Sequence, residues 1–238
     1  MFAGPNGSGK STLIKEIKNK FSVGFYINAD DIEKEFSNSK FIDCNNYLPI
    51  SVNQNDWDFF KSIISSNDTR VTSKVLDSIE IKDGILTNKS ETNSYIAAVI
   101  AEFLRHILLR YNSSFSFETV MSHQSKVDFL KKAKDKGFKT YLYFIGTQDP
   151  LININRVKIR VSKGGHAVDQ EKIVKRYYHS MELLSQAFLN ADRAFIFDNS
   201  TDGETKNLLI EKKGDHVEVF VDEIPEWVQI YLLDKLIK

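Results

Sequence analysis

Apolar and polar positions along the chain alternate between two periods. Short apolar runs end in polar residues, and longer stretches repeat their apolar positions at helical spacing. Gly24 to Asn28 is a short apolar run that predicts a strand, entering a helix from Ile32 to Phe36. Tyr95 to Arg110 places Ile96, Val99, Ile100, Phe103, Leu104, Ile107 and Leu108 at helical spacing. Phe115 to Thr119 then predicts a strand, Ser125 to Lys136 a helix stopped by Gly137, and Thr140 to Ile145 a further strand. Pro150 to Val161 reads as a helix and Ser162 to His166 as a flexible break. A long helix from Gln170 to Leu189 and a strand from Arg193 to Asp198 follow. Strands alternating with helices in this way are the pattern of a parallel sheet covered on both faces. Between about 37 and 92 the periodicity weakens, Asn and Ser become frequent, and Trp57, Phe59, Phe60, Ile63 and Ile64 form one apolar cluster, which predicts an insertion with its own small structure. Beyond about 201, Leu208 to Glu211 and Val217 to Val221 flank Lys-Lys-Gly-Asp as an antiparallel hairpin, and Pro225 opens a closing helix. The expectation is one α/β domain over 1–238, carrying the insertion and this C-terminal extension.

The start of the chain adds chemistry. Gly4 to Ser11 fits G-x-x-x-x-G-K-[ST], the phosphate-binding P-loop. Glycines let the backbone curl so that N–H groups point at phosphate oxygens, and the helix that opens at Gly9 adds its positive end. Gly4, Pro5, Asn6, Gly7, Ser8, Gly9, Lys10, Ser11 and Thr12 are therefore the expected nucleotide-binding residues, with Lys10 reaching the β- and γ-phosphates and the Ser11 hydroxyl ligating Mg²⁺. Thr12 to Lys20 reads as an amphipathic helix with Leu13, Ile14 and Ile17 on one side. Only Met1-Phe2-Ala3 precede the loop, so its strand is a stub: either the chain starts late or the central strand is short.

In an open α/β sheet ligands gather beyond the carboxyl ends of the strands. That rule selects Asp30 and Asp31 after the second strand and Glu118-Thr119 after the third. One aspartate caps the helix; the other either faces the phosphates as a general base or also serves only the helix end. Glu118 would orient a substrate, bind Mg²⁺ through water, or simply pair with a lysine. Arg156 and Arg160 share one helix face and can clamp the charge of phosphoryl transfer, with Gly164-Gly165 as the hinge of a closing lid and Arg176 joining from the next helix. The alternative for both arginines is a solvated face.

Charge and cysteine content narrow the class. Lys plus Arg number 32 and Asp plus Glu number 32, so no global field draws in nucleic acid or an anionic membrane. Cys44 is the only cysteine, which excludes an internal disulfide and suits a reducing compartment; it reads as a passive thiol. The longest apolar stretch, Ile96 to Leu104, is interrupted by Glu102 and is too short to span a bilayer. The expectation is a soluble cytoplasmic protein.

Taken in order, Gly4 to Thr12, Asn28-x-Asp30, Phe117-Glu118-Thr119, Gly137-Phe138, Arg156-Val157 with Arg160-Val161, Gly164-Gly165-His166-x-Val168, Arg176-Tyr177 and Phe197-Asp198-Asn199-Ser200 resemble the zeta toxin family of P-loop kinases. The resemblance covers about Phe2 to Phe36 and Phe115 to Ser200. It implies a three-layer α/β/α P-loop kinase fold with a helical lid, and ATP- or GTP-dependent phosphorylation of a sugar hydroxyl with Mg²⁺, UDP-N-acetylglucosamine being the substrate class of the toxins. It further implies Asp30 as general base, Lys10 and Ser11 on phosphate and metal, Glu118 with Thr119 seating the substrate, and Arg156 and Arg160, joined by Arg176, as lid arginines. A small helical antitoxin is the protein partner it brings to mind, while toxicity does not follow from the resemblance. A second reading is a nucleotide-driven ATPase or switch, because Phe195-Ile196-Phe197-Asp198 looks like an apolar strand ending in a Walker-B aspartate. A guanine-reading Asn-Lys-x-Asp is absent, the nearest stretch being Asn88-Lys89-Ser90-Glu91.

Overall fold

The computed structural model of the protein describes residues 1–64, 76–90, 93–201 and 206–237. Parts of the expected insertion (65–75, 91–92) and of the expected extension (202–205, 238) lie outside the described residues. The strands are β1 (Phe2–Ala3), β2 (Phe25–Ile27), β3 (Phe41–Asp43), β4 (Ile79–Lys82), β5 (Ile85–Asn88), β6 (Phe115–Thr119), β7 (Tyr141–Gly146), β8 (Arg193–Asp198), β9 (Asn207–Lys213) and β10 (His216–Val219). The main helices are α1 (Lys10–Lys18), α2 (Ala29–Ser39), α3 (Gln54–Ile63), α4 (Ser94–Arg110), α5 (Gln124–Asp135), α6 (Pro150–Ser162), α7 (Gln170–Glu182) and α8 (Leu184–Asn190). The class is α/β, with a mainly parallel sheet and helices on both faces. Two compact units are present: Met1–Phe21 with Glu118–Lys238, and Ser22–Phe117.

In the first unit β1 lies between β7 and the end of β6, parallel to both, with Phe2 opposite Tyr143 and Glu118. The strand is held on both sides, and Phe2 and Ala3 are buried. Its pairing reaches one residue further, Tyr143 N–H donating to Met1 O at 2.9 Å. In-register parallel pairing also stacks aromatic rings across neighbouring strands, Phe2 on Tyr143 at 4.8 Å and Tyr143 on Phe195 at 4.9 Å, a cross-strand ladder. β7 and β8 run parallel; β9 and β10 add the antiparallel hairpin expected from the sequence. A helical segment follows from Glu226, capped at Pro225, and buries Trp227, Val228 and Leu232. The single long helix expected from Gln170 to Leu189 is instead two, broken at Leu183. Thr12 to Lys20 is corrected to Lys10–Lys18, because Thr12 and Leu13 N–H both donate to Gly9 O and start the helix two residues earlier.

In the second unit β2 pairs parallel with Phe115–Phe117, and β3, β5 and β4 form a separate antiparallel sheet. The Asn/Ser-rich stretch contributes that small sheet and α3, whose start is closed by a capping box between Asn53 and Asp56. Of the apolar cluster expected there, Trp57 and Phe60 are buried, each within 5.5 Å of the Phe103 ring of α4. Phe59 and Ile63 fall on the outer face of α3 and are exposed, with the Arg110 guanidinium over the Phe59 ring at 5.2 Å. A packing partner on α4, beyond the reach of local periodicity, decides which face is core. Among the described residues no helix is long and apolar enough to cross a membrane.

Cys44 also belongs to this unit and is wholly buried. Burial, with Asp43 and Glu35 nearby, pushes its thiol up to about 12. At pH 8 the thiolate fraction is then about 10⁻⁴, so the folded protein is expected to react with a thiol-specific disulfide reagent far more slowly than the denatured chain. Absorbance at the released thiol, with and without guanidinium, measures this; a fast reaction in the native state would contradict it.

Candidate active site

The glycines of the P-loop bend it around Lys10. Gly9 ends the loop with φ 97°, where a side chain would be strained, and a Cβ there would stand 2.5 Å from Asn199 Nδ2. Lys10 opens α1 but its side chain folds back along the loop, Nζ donating to Gly4 O and to Pro5 O, each at 2.9 Å, and it is buried. The ammonium is thus held against the loop's own backbone. Ser11, one residue on, faces outward and is exposed.

Glu118 is the penultimate residue of β6, the parallel strand beside β1. The Ser11 hydroxyl donates to its carboxylate, 3.0 Å from Oε1 and 3.1 Å from Oε2. The sheet register brings the two together: Phe2 opposite Glu118 puts the carboxylate at the level where the chain leaves β1 for the loop. A serine hydroxyl and a carboxylate in contact are hard oxygen donors, the set Mg²⁺ takes together with water and phosphate oxygens. Thr119 is used locally, its Oγ1 accepting from Met121 N at 3.0 Å in the turn that follows the strand.

Asp198 stands elsewhere. Strand β8 is separated from β1 by β7, and the Asp198 carboxylate is held by Trp227 Nε1 at 2.8 Å, Ser200 Oγ at 2.7 Å and Ser200 N at 3.0 Å. The Walker-B-like expectation for Asp198 is corrected on that ground: the carboxylate on the strand adjoining β1, in contact with the P-loop serine, is Glu118.

The arginines of α6 donate to backbone carbonyls. Arg156 donates to Asn199 O at 2.6 Å and Thr201 O at 3.4 Å. Arg160 donates to His166 O at 2.7 Å, across the Gly164-Gly165 turn, where a Cβ on Gly165 would meet the Arg160 side chain at 2.5 Å. Arg176 is half-buried on α7. The two helices close on an apolar seam of Ile154, Val157 and Ile173.

Asp30 belongs to the second unit. It is exposed in the first turn of α2, and the helix is capped by Asn28, whose Oδ1 accepts from Asp30 N at 3.1 Å. The expectation that Asp30 or Asp31 is the cap is corrected: an amide one residue before the helix does that work, and both carboxylates lie in the first turn, where the helix's positive end favours them.

Two contacts on the loop went unread in the sequence. Asn153 of α6 donates from Nδ2 to Asn6 O at 2.7 Å, and Asn199 donates from Nδ2 to Ser8 O at 2.8 Å. Asn153 is an amide on the buried face of a helix, a signal visible only once that face is known; Asn199 is part of the Phe-Asp-Asn-Ser string.

No family model matches the chain. An uncharacterized protein of Haemophilus influenzae is 30% identical over 117 residues, which are 49% of this chain and 84% of that protein. Among solved structures, the crystal structure of AvrRxo1-ORF1:AvrRxo1-ORF2 with sulphate ions is similar at a TM-score of 0.52 and 14% identity. The crystal structure of the same pair with ATP is similar at a TM-score of 0.50 and 14% identity. In both, the match covers 97% of this chain and 61% of the other, so the chain spans about three-fifths of the length of those relatives. The likeness is one of fold.

Proposed function

The chain belongs to one family with the Haemophilus influenzae protein, and we propose that it is a P-loop kinase that moves the γ-phosphate of ATP, in a complex with Mg²⁺, to a hydroxyl of a small polar metabolite of the nucleotide-sugar class. The observation that carries this reading is the Ser11–Glu118 pair beside the loop that encloses Lys10. The resemblance of the ordered motifs to zeta toxins supports the acceptor class, and the ATP held by a protein of similar fold supports the donor.

In this reading the loop's N–H groups and the Lys10 ammonium bind the phosphates, and Ser11 and Glu118 would hold Mg²⁺. When bound, such an ion would supply neutralisation of the phosphate charge. Asp30 takes the proton of the attacking hydroxyl, Glu118 and Thr119 border the acceptor, and Arg156, Arg160 and Arg176 supply positive charge where the equatorial oxygens gain it. Arg160 exchanges the His166 carbonyl for a phosphate when it acts, while Arg156 supplies its charge from its place on Asn199. A protein partner is part of the same proposal, since the similar fold is crystallised as an ORF1:ORF2 pair.

The test is incubation of the purified protein with γ-labelled ATP and a panel of acceptors that includes UDP-N-acetylglucosamine, with phosphorylated product as the readout. Label that appears only as inorganic phosphate, at a rate no acceptor changes, would favour an ATPase instead. For the lid, Arg160→Ala is expected to lower kcat about 10²-fold while raising KM for ATP much less, because the clamp acts on charge present in the transition state. Steady-state kinetics against ATP measures the split, and an unchanged kcat returns Arg160 to the role of holding its own turn.

A further inference from the structure

The phosphate-binding loop is gripped from outside at two of its carbonyls. Asn153 holds Asn6 O and Asn199 holds Ser8 O. A carbonyl oxygen can only accept, so in both side chains the amide nitrogen must face the loop. A trans peptide is planar, with its carbonyl and the following N–H pointing in opposite directions. The Asn6 carbonyl shares its plane with Gly7 N–H, and the Ser8 carbonyl with Gly9 N–H. By drawing each carbonyl outward, the two asparagines turn those N–H groups away from themselves. Alternate peptides of the loop are thereby set.

We propose that Asn153 and Asn199 are positioning residues that aim the Gly7 and Gly9 N–H groups at the oxygens of a bound polyphosphate. This rests on the nucleotide-binding reading above and adds to it which residues outside the motif set the loop's donors. Each gripped peptide ends on a glycine lying against the residue that grips it: a Cβ on Gly7 would stand 2.8 Å from Asn153 O, and one on Gly9 2.5 Å from Asn199 Nδ2. The grips are themselves braced. Asn153 Oδ1 accepts from Thr147 Oγ1 at 2.5 Å, and the buried Tyr177 hydroxyl of α7 donates to Thr147 O at 2.6 Å. The Asn199 carbonyl accepts from Arg156. Both braces lead to α6 and α7, the helices that carry the lid arginines, so one pair of helices orients the loop's donors and supplies the cations.

The experiment compares wild type, Asn153→Ala, Asn199→Ala and Lys10→Ala. Melting temperature, the dissociation constants of Mg·ATP and magnesium tripolyphosphate by calorimetry, and the backbone ¹⁵N–¹H resonances of Gly7 and Gly9 are measured for each. Each asparagine variant is expected to weaken both polyphosphates about tenfold, the scale of one hydrogen bond, and to move the resonance of its own glycine in the ligand-free protein. A purely structural role would lower the melting temperature and leave affinity and those resonances in place. Should Asn153→Ala fail to fold, Asn199→Ala at its half-buried position decides. Affinities and glycine resonances that match wild type, in variants that melt with it, overturn the positioning role while wild-type binding that Lys10→Ala abolishes keeps the nucleotide reading. Wild type that binds neither polyphosphate overturns both.

Discussion

Asp30→Ala is expected to slow phosphate transfer to the acceptor by about 10² to 10⁴-fold while Mg·ATP affinity stays within a few-fold. The separation follows from where the residue stands. Asp30 is exposed in the first turn of α2, directly after a parallel strand. The helix start rests on Asn28, so removing Asp30 leaves the cap in place and costs only its share of the charge that favours a helix's positive end, about 0.3–1 kcal/mol. On the proposed role, losing Asp30 leaves donor binding intact and removes the acceptor for the hydroxyl proton. Single-turnover transfer from γ-labelled ATP, alongside calorimetric titration of Mg·ATP, measures both quantities. Asp31→Ala, the neighbouring carboxylate in the same turn, serves as the control and should transfer at close to the wild-type rate. If Asp30→Ala turns over ATP at full rate without acceptor, or transfers as wild type does, the base lies elsewhere.

Glu118→Ala should lower transfer at saturating ATP by about 10² to 10³-fold, comparable to deleting one electrostatic contact to the reacting group, and should raise the Mg²⁺ concentration needed for half-maximal rate. The Ser11 hydroxyl donates to this carboxylate, so the variant loses a negative charge and also frees the serine to rotate. Glu118→Gln keeps the shape and an acceptor oxygen without the charge, and should fall between wild type and alanine. A titration of initial rate against Mg²⁺ separates this role from an acceptor-seating one. A variant whose KM for acceptor rises while its Mg²⁺ requirement stays put would assign Glu118 to the acceptor.

Element types were largely legible along the chain, because burial of one helix face or of a short strand writes a local period into the sequence. The strand from Arg193 to Asp198, the helix over Tyr95 to Arg110 and the hairpin around Lys-Lys-Gly-Asp all carry that mark. Errors came where neighbours in space decide. Phe59 and Phe60 are adjacent and equally apolar, yet only Phe60 is core, because Phe103 packs on its side of α3. The cap of α2 moved to Asn28 because the helix begins at Ala29, three residues before the apolar pattern's first position at Ile32.

By itself the sequence determined that a stretch fitting the P-loop motif leads into a helix, that strands and helices alternate in an α/β order, and that Asp30, Glu118 and the arginines follow elements that bring polar groups to strand ends. The motif is contiguous, so its chemistry is written in adjacent residues. Only the tertiary structure decided which carboxylate meets Ser11. Asp198 and Glu118 both stand at the ends of apolar strands, and nothing local ranks them; the register of β6 against β1 does, while β7 stands between β1 and β8. The same holds for Asn153 and Asn199, which lie far from the loop in sequence and reach its carbonyls because parallel strands deliver their ends to one edge of the sheet, so their part in the site is a property of packing that no local pattern encodes.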